Sequence, residues 1–168
     1  MELVLTNSTP TNTDLATPDG RVLYTIATPL RWTGRTTTVT KHTPEHGAAR
    51  EVARIQWGSL RGSQLVYDGQ KFDLNTFISR TGPLSSSRSF VGPDGRIYKW
   101  KRSGRASHLQ VDDKTGTVIA SFHPHNVLGG GKSSLEIDAS ALPMLDLIII
   151  TWIYIEKKRR DAQAASAS

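Results

Sequence analysis

The stretch that most constrains the fold lies near the end of the chain: Pro143-Met144-Leu145-Asp146-Leu147-Ile148-Ile149-Ile150-Thr151-Trp152-Ile153-Tyr154-Ile155, followed by Glu156-Lys157-Lys158-Arg159-Arg160. From Met144 to Ile155 only Asp146 and Thr151 are polar. Neither helical spacing nor strand alternation gives those two a continuous wet face, so the segment must be covered on all sides. As a helix it rises about 18 Å at ~1.5 Å per residue, short of the ~30 Å hydrocarbon core of a bilayer. The expectation is a core element and not a membrane span. Its β-branched and aromatic residues favour a strand, but the flanks favour a helix. Pro143 suits a first turn, Asp146 lies near the positive end of the helix dipole, and Lys157 to Arg160 lie near its negative end. The reading is a buried helix at about 143–160, with everything upstream as its coat.

A chain of 168 residues with 37% hydrophobic residues suits one domain, placed at 1–161 with the small residues 162–168 as a disordered tail. The chain has no cysteine, which excludes disulfides, thiolate metal sites, thiol nucleophiles and S-palmitoylation. The first residues lack the basic and apolar regions of a signal peptide, so the expected location is cytoplasmic, peripheral to membranes at most. A net charge of +6 favours anionic partners by long-range attraction without defining a site.

Upstream of the apolar segment the pattern has period two. Val52-Ala53-Arg54-Ile55-Gln56-Trp57 puts Ala53, Ile55 and Trp57 on one face. Further strands are read at Leu3-Val4-Leu5 (an edge strand), 21–28, 36–41, 64–67, 71–74, 89–91, 97–102, 109–111, 117–122 and 134–137, with 6–17 as a loop and 75–80 ambiguous. Two turns, Pro18-Asp19-Gly20 and Pro93-Asp94-Gly95, precede similar strand starts, through convergent turn chemistry or a duplicated sheet. Many short antiparallel strands followed by one apolar helix predict a mainly β fold. In it a closed barrel of roughly ten to twelve strands surrounds the C-terminal helix. A barrel so filled has its binding surface at the mouths or on the outer wall.

The residues Leu23-Tyr24-Thr25-Ile26-Ala27-Thr28-Pro29, Ala53-Arg54-Ile55-Gln56-Trp57, Ser89-Phe90-Val91-Gly92-Pro93-Asp94-Gly95-Arg96-Ile97-Tyr98-Lys99-Trp100-Lys101 and Ile153-Tyr154-Ile155-Glu156-Lys157-Lys158-Arg159-Arg160-Asp161 carry a resemblance. Over about residues 20 to 161 the chain resembles a large group of uncharacterised single-domain proteins of mushroom-forming fungi. More distantly, its plan is similar to the tubby C-terminal, phospholipid scramblase and LURP-one-related barrels, in which strands surround a C-terminal hydrophobic helix. The likeness implies a tubby-like barrel, and tubby-like domains bind phosphoinositides through basic residues. Scramblase activity is disfavoured, because the acidic calcium segment and the cysteines that family depends on have no counterpart here.

The candidate sites differ in strength. Asn126-Val127-Leu128-Gly129-Gly130-Gly131-Lys132-Ser133 ends like a phosphate-binding loop. Its first glycine position holds Asn126, however, and a strand follows where the motif needs a helix, so it reads as a hairpin loop. His123 and His125 flank Pro124 and, like His42 and His46, read as polar loop histidines, so no metal site is expected. No nucleophile elbow is present and Asp112-Asp113-Lys114 reads as a turn, so the expectation leans away from an enzyme and calls for no cofactor. The strongest feature is basic. On a strand at 96–102, Tyr98 and Trp100 share one face, while Lys99 and Lys101 form a row on the other. Arg102 and Arg105 extend this patch, and Lys157, Lys158, Arg159 and Arg160 form a second one at the helix exit. These eight residues are the candidate anion- and lipid-binding residues.

The resulting expectation is a non-catalytic cytosolic module whose basic surface contacts anionic phospholipid headgroups, phosphoinositides among them, or another acidic partner. The alternatives are a small-molecule enzyme with its site at a barrel mouth and a nucleic-acid-binding protein. The last is weakened by the lack of a recognised basic–aromatic module.

Overall fold

The structure, a computed structural model, describes residues 1–30, 34–43, 47–58, 62–125 and 131–167. Among these, thirteen strands form one antiparallel sheet and the chain ends in a long helix. In chain order the strands are β1 (Glu2–Leu5), β2 (Thr13–Ala16), β3 (Val22–Ala27), β4 (Arg35–Thr43), β5 (Ala48–Trp57), β6 (Gln64–Tyr67) and β7 (Gln70–Asp73). A one-turn helix, α1 (Leu74–Phe77), leads to β8 (Ser79–Arg80), β9 (Arg88–Val91), β10 (Ile97–Ser103), β11 (Ala106–Val111), β12 (Val118–His123) and β13 (Ser134–Ile137). A 3-10 turn at Ala139–Met144 then enters α2 (Leu145–Ser166).

Every ladder but one joins strands adjacent in sequence, so the sheet is two meanders, β1–β7 and β8–β13. They are joined where β1 pairs with β13, with Leu3 opposite Leu135. The expected closed barrel is not what forms. The edges β7 and β8 share no ladder, and α1 joins them end to end. Nor is β1 an edge strand, since it lies between β2 and β13. The stretch read as a loop at 6–17 contains β2, which buries Thr13, Leu15 and Ala16. Register shifts at Leu15/Ala16, Val39/Thr40 and Leu109/Gln110 add the local bends that let so long a sheet curl.

The apolar segment is helical, as expected, and the sheet curls around it. Every residue from Leu147 to Tyr154 is at most 4% exposed, a run of two turns that points in all directions around the axis. Partners reach it from most of the sheet: Tyr24 of β3, Trp57 of β5, Trp100 of β10 and Phe122 of β12 all contact it. The helix is longer than expected. It continues through Ser166, over residues read as a tail, so Lys157 to Arg160 do not sit in its last turn. At 22 residues, and with the preceding 3-10 turn, it is long and apolar enough to cross a membrane by length and composition. Its apolar part is enclosed by the sheet.

Polar contacts at three points along its length fix the helix in its sleeve. At its start Asp146 accepts hydrogen bonds from the Tyr24 hydroxyl and from Lys41 Nζ at 2.8 Å. Burial first, and then the bond to Asp146, push the Tyr24 hydroxyl pKa well up. Midway, Trp100 Nε1 donates to Thr151 Oγ1 at 3.0 Å. Further on, the Tyr154 hydroxyl donates to Asn75 Oδ1 at 2.6 Å, tying the helix to α1 between the two sheet edges.

The strand alternation read from the sequence holds on β10, where Tyr98 and Trp100 are buried and Ile97, Lys99 and Lys101 face outward. The two similar turns are closed by the same bonds. Gly20 N–H donates to the Thr17 carbonyl and Gly95 N–H to the Gly92 carbonyl, while Thr17 N–H reaches Arg21 and Gly92 N–H reaches Arg96. Gly20 and Gly95 both take positive φ, at 92° and 76°, where a Cβ would be strained.

Candidate functional site

In an antiparallel meander, successive connections alternate between the two ends of the sheet. The connections at the end where α2 begins include the turns holding Asp19, Asp68, Asp94 and Asp113, together with Asp138 before the 3-10 turn. At the other end, where the basic stretch of α2 emerges, lie the β8–β9 and β10–β11 connections with Arg80, Arg88, Arg102 and Arg105. The aspartate turns also hold Arg21, Arg96 and Lys114, so charge there is mixed, whereas the other end is predominantly basic and carries a cleft of about 350 Å3.

Three sides build this cleft. The β8–β9 hairpin contributes Arg80, Ser85, Ser86 and Arg88; β10 and β11 contribute Trp100, Lys101, Arg102 and Ser107; and α2 contributes Ile155, Glu156, Lys158, Arg159, Asp161 and Ala162. The Tyr154 ring is the shared landmark beside it, with Arg88 Cζ 5.4 Å and Lys158 Nζ 5.6 Å from its centroid. Such cation–ring contacts hold the two cations close together. Arg80 spends one donor on the Pro83 carbonyl at 3.5 Å. Among the described residues none of Arg80, Arg88, Lys101, Arg102 and Lys158 has a carboxylate within ion-pair distance. The crowding is felt at Lys158. Burial first, and then Arg88, with Lys157 and Arg80 adding to it, hold its ammonium below the usual lysine pKa, against an opposing pull from Asp161.

The eight residues expected to bind anions have different fates. Lys101, Arg102, Lys158 and Arg159 line the cleft. Arg159 is committed to buried Glu156, with Nε 2.9 Å from Oε2, and Ser107 Oγ donates to the other oxygen of Glu156 at 3.3 Å. Arg105 lies exposed in the β10–β11 turn. Lys157 turns to the other side of α2, 5.0 Å from the Trp57 ring centroid and 2.7 Å from Asp161. Arg160 donates to the Ser8 carbonyl. Lys99 departs most from expectation: its Nζ is 2.7 Å from Asp112 of the next hairpin, so the outward lysine row contains one neutralised member. Arg80 and Arg88 were missed. Their only signal was that two arginines bracket the short loop Thr81-Gly82-Pro83-Leu84-Ser85-Ser86-Ser87.

Other chemistry finds less support. His108 Nδ1 lies 2.9 Å from Ser121 Oγ on the outer wall, and Ser121 lies between His108 and Glu136 across three strands. The carboxylate therefore does not orient the imidazole as a catalytic triad requires. Among the described residues no three His, Asp or Glu side chains converge as a metal site would need. Within the phosphate-loop-like stretch, residues 126–130 lie outside the described residues, as does His46.

No curated protein and no solved structure matches the chain. One family model does, over residues 8–161, and its description is a family of unknown function, DUF6593. All strands but β1, α2 as far as Asp161 and every cleft residue but Ala162 fall within that match, and the chain belongs to the DUF6593 family.

Proposed function

We propose that the protein is a non-catalytic module, cytosolic and peripheral to membranes, whose basic end binds the phosphate-bearing headgroups of anionic phospholipids. The observation that carries this reading is the approach of Arg88 and Lys158 to the Tyr154 ring, with Arg80 on the same cleft wall; Glu156 and Asp161 also line the cleft, but among the described residues neither lies within ion-pair distance of these three cations. Like charges held together in a partly desolvated cleft repel one another, and a bound phosphate removes that penalty while accepting charge-assisted hydrogen bonds from the guanidinium groups. Ser85 and Ser86 on the cleft wall supply neutral donors beside them. We also read the arrangement as the tubby-like plan, with α1 occupying the gap between β7 and β8. A helix that fills the sheet favours recognition at the mouth over capture in an interior cavity.

The test is vesicle co-sedimentation with phosphatidylcholine alone and with phosphatidylserine or a phosphoinositide added. The acidic vesicles should bind the protein, more weakly as salt rises, and the neutral ones should not. Replacing Arg88 and Lys158 together by alanine should weaken binding ~30-fold, at about 1 kcal/mol for each basic residue near an anionic surface. Binding that ignores lipid charge, or a double variant that binds as tightly as the parent while keeping its circular dichroism, would refute the proposal.

A further inference from the structure

The two most exposed large apolar side chains among the described residues are Leu84, at 101%, and Leu30, at 94%. Leucines scattered singly over a surface need no explanation. These two are not scattered. Leu84 sits in the loop between the cleft arginines Arg80 and Arg88. Leu30 borders a second hollow at the same end, which it shares with Arg35, Trp57 and Lys157. The opposite end has Val91, Ile97, Val118 and Met1 about half exposed, at 47–60%, but no apolar side chain that stands as free as these two among the described residues.

The loop that carries Leu84 is knit by its own bonds. Thr81 N–H donates to the Ser87 carbonyl at 3.3 Å, Ser85 N–H to the Gly82 carbonyl at 3.1 Å, and Ser87 N–H to Ser85 Oγ at 3.1 Å. Thr81 Oγ1 and Ser85 Oγ are 2.9 Å apart, and Arg80 Nη1 donates to the Pro83 carbonyl. The side chains of Thr81 and Ser85 thus turn back on the loop itself, and Leu84 projects from it. A protruding leucine in a loop flanked by cations fits one kind of partner, a surface that is anionic at its face and apolar just beneath. We infer that the protein docks on an anionic bilayer with its basic end down, and that Leu84, aided by Leu30, inserts past the headgroups while Arg80, Arg88 and Lys158 hold phosphates. This orientation rests on the cleft reading above and adds the bilayer itself, as opposed to a free headgroup, as the partner.

Because the chain has no cysteine, Leu84→Cys gives a single attachment point for an environment-sensitive fluorophore. Val118→Cys, at the start of β12 and so at the opposite end, gives the control. With vesicles of phosphatidylcholine and phosphatidylserine in a two-to-one ratio, the label at position 84 should brighten and shift to the blue, and the label at 118 should not. In parallel, the charge-neutral Leu84→Asn should weaken vesicle binding at least about tenfold, the loss expected for one leucine no longer buried. It should leave the affinity for soluble inositol hexakisphosphate unchanged. Unaltered vesicle binding by Leu84→Asn, or a label at 84 that stays in water on bound vesicles, overturns the inserted orientation while soluble-probe binding leaves the cleft standing. Parent protein that binds neither probe overturns the cleft reading and the inference with it.

Discussion

The most exacting test of the fold concerns one atom pair inside the sleeve. Trp100 is 1% exposed and Thr151 fully buried, and the indole N–H of the first donates to the hydroxyl of the second at 3.0 Å. The same hydroxyl donates to the Ile148 carbonyl at 3.1 Å, so it is both donor and acceptor. Thr151→Val keeps the shape of the side chain and removes the only acceptor the indole has among the described residues. An orphaned buried donor costs about 1–3 kcal/mol, partly offset by up to ~0.8 kcal/mol for a methyl in place of the hydroxyl. The net loss should therefore be roughly 0.2–3 kcal/mol, or about 0.4–12 °C in Tm for a chain of this size. Urea unfolding followed by far-ultraviolet circular dichroism measures it without relying on the fluorescence of Trp100. Adding Trp100→Phe removes the orphan, so the double variant should be more stable than the two single losses predict, by about 1 kcal/mol. A Thr151→Val protein with an unchanged midpoint, or a strictly additive cycle, would show that this bond does not fix the helix in the sheet.

Two further outcomes follow from the outer surface. Asp94 accepts from the Tyr98 hydroxyl, Arg96 Nε and Arg96 N–H, which together hold its carboxyl at about 2, below the ordinary 3.8. A depressed carboxyl stabilises the fold above its ordinary pKa and loses that effect as pH falls through the folded value. Asp94→Asn should therefore flatten the fall in stability between about pH 4 and pH 2 seen in acid titrations monitored by circular dichroism, and an identical acid limb would count against the turn geometry. On the lipid side, Lys99→Ala should leave vesicle binding within twofold of the parent because Asp112 already neutralises Lys99. A loss as large as that from Arg88→Ala would return the lysine row to the centre of the site.

What the sequence made legible, and what it hid, divides along a physical line. The apolar run at 144–155 announces a buried element because no period can give it a wet side, and the alternation around Tyr98 and Trp100 announces the face of β10. The length of α2 was hidden, since alanine and glutamine after Arg160 support a helix as readily as a tail. β2 was hidden because its inward Thr13 looks like a loop residue, whereas its hydroxyl satisfies itself on the Asp14 carbonyl and receives the Asn7 N–H. The open seam between β7 and β8 and the central position of β1 depend on which strands meet, and alternation is silent on partners. For the same reason the cleft was only half visible. Lys158 was readable as part of a basic run, but its meeting with Arg80 and Arg88, some seventy residues earlier, is made by the curl of the sheet.

The junction of β1 with β13 bears on how the chain reaches this state. All other strand pairs are local hairpins that can form as each strand appears, but this one must close a loop of some 130 residues, with Ile137 N–H bonded to the Met1 carbonyl at 2.7 Å. Distant pairing of this kind is slow, because loop entropy is lost before the contact forms. The element that fills both meanders is also the last of the described elements in sequence, so each half-sheet has an uncovered apolar face until α2 arrives. Synthesis from the N-terminus thus leaves that interior face uncovered until α2 has been made. A chain truncated before Leu145 should remain a substrate for chaperones, with no native state to leave them for.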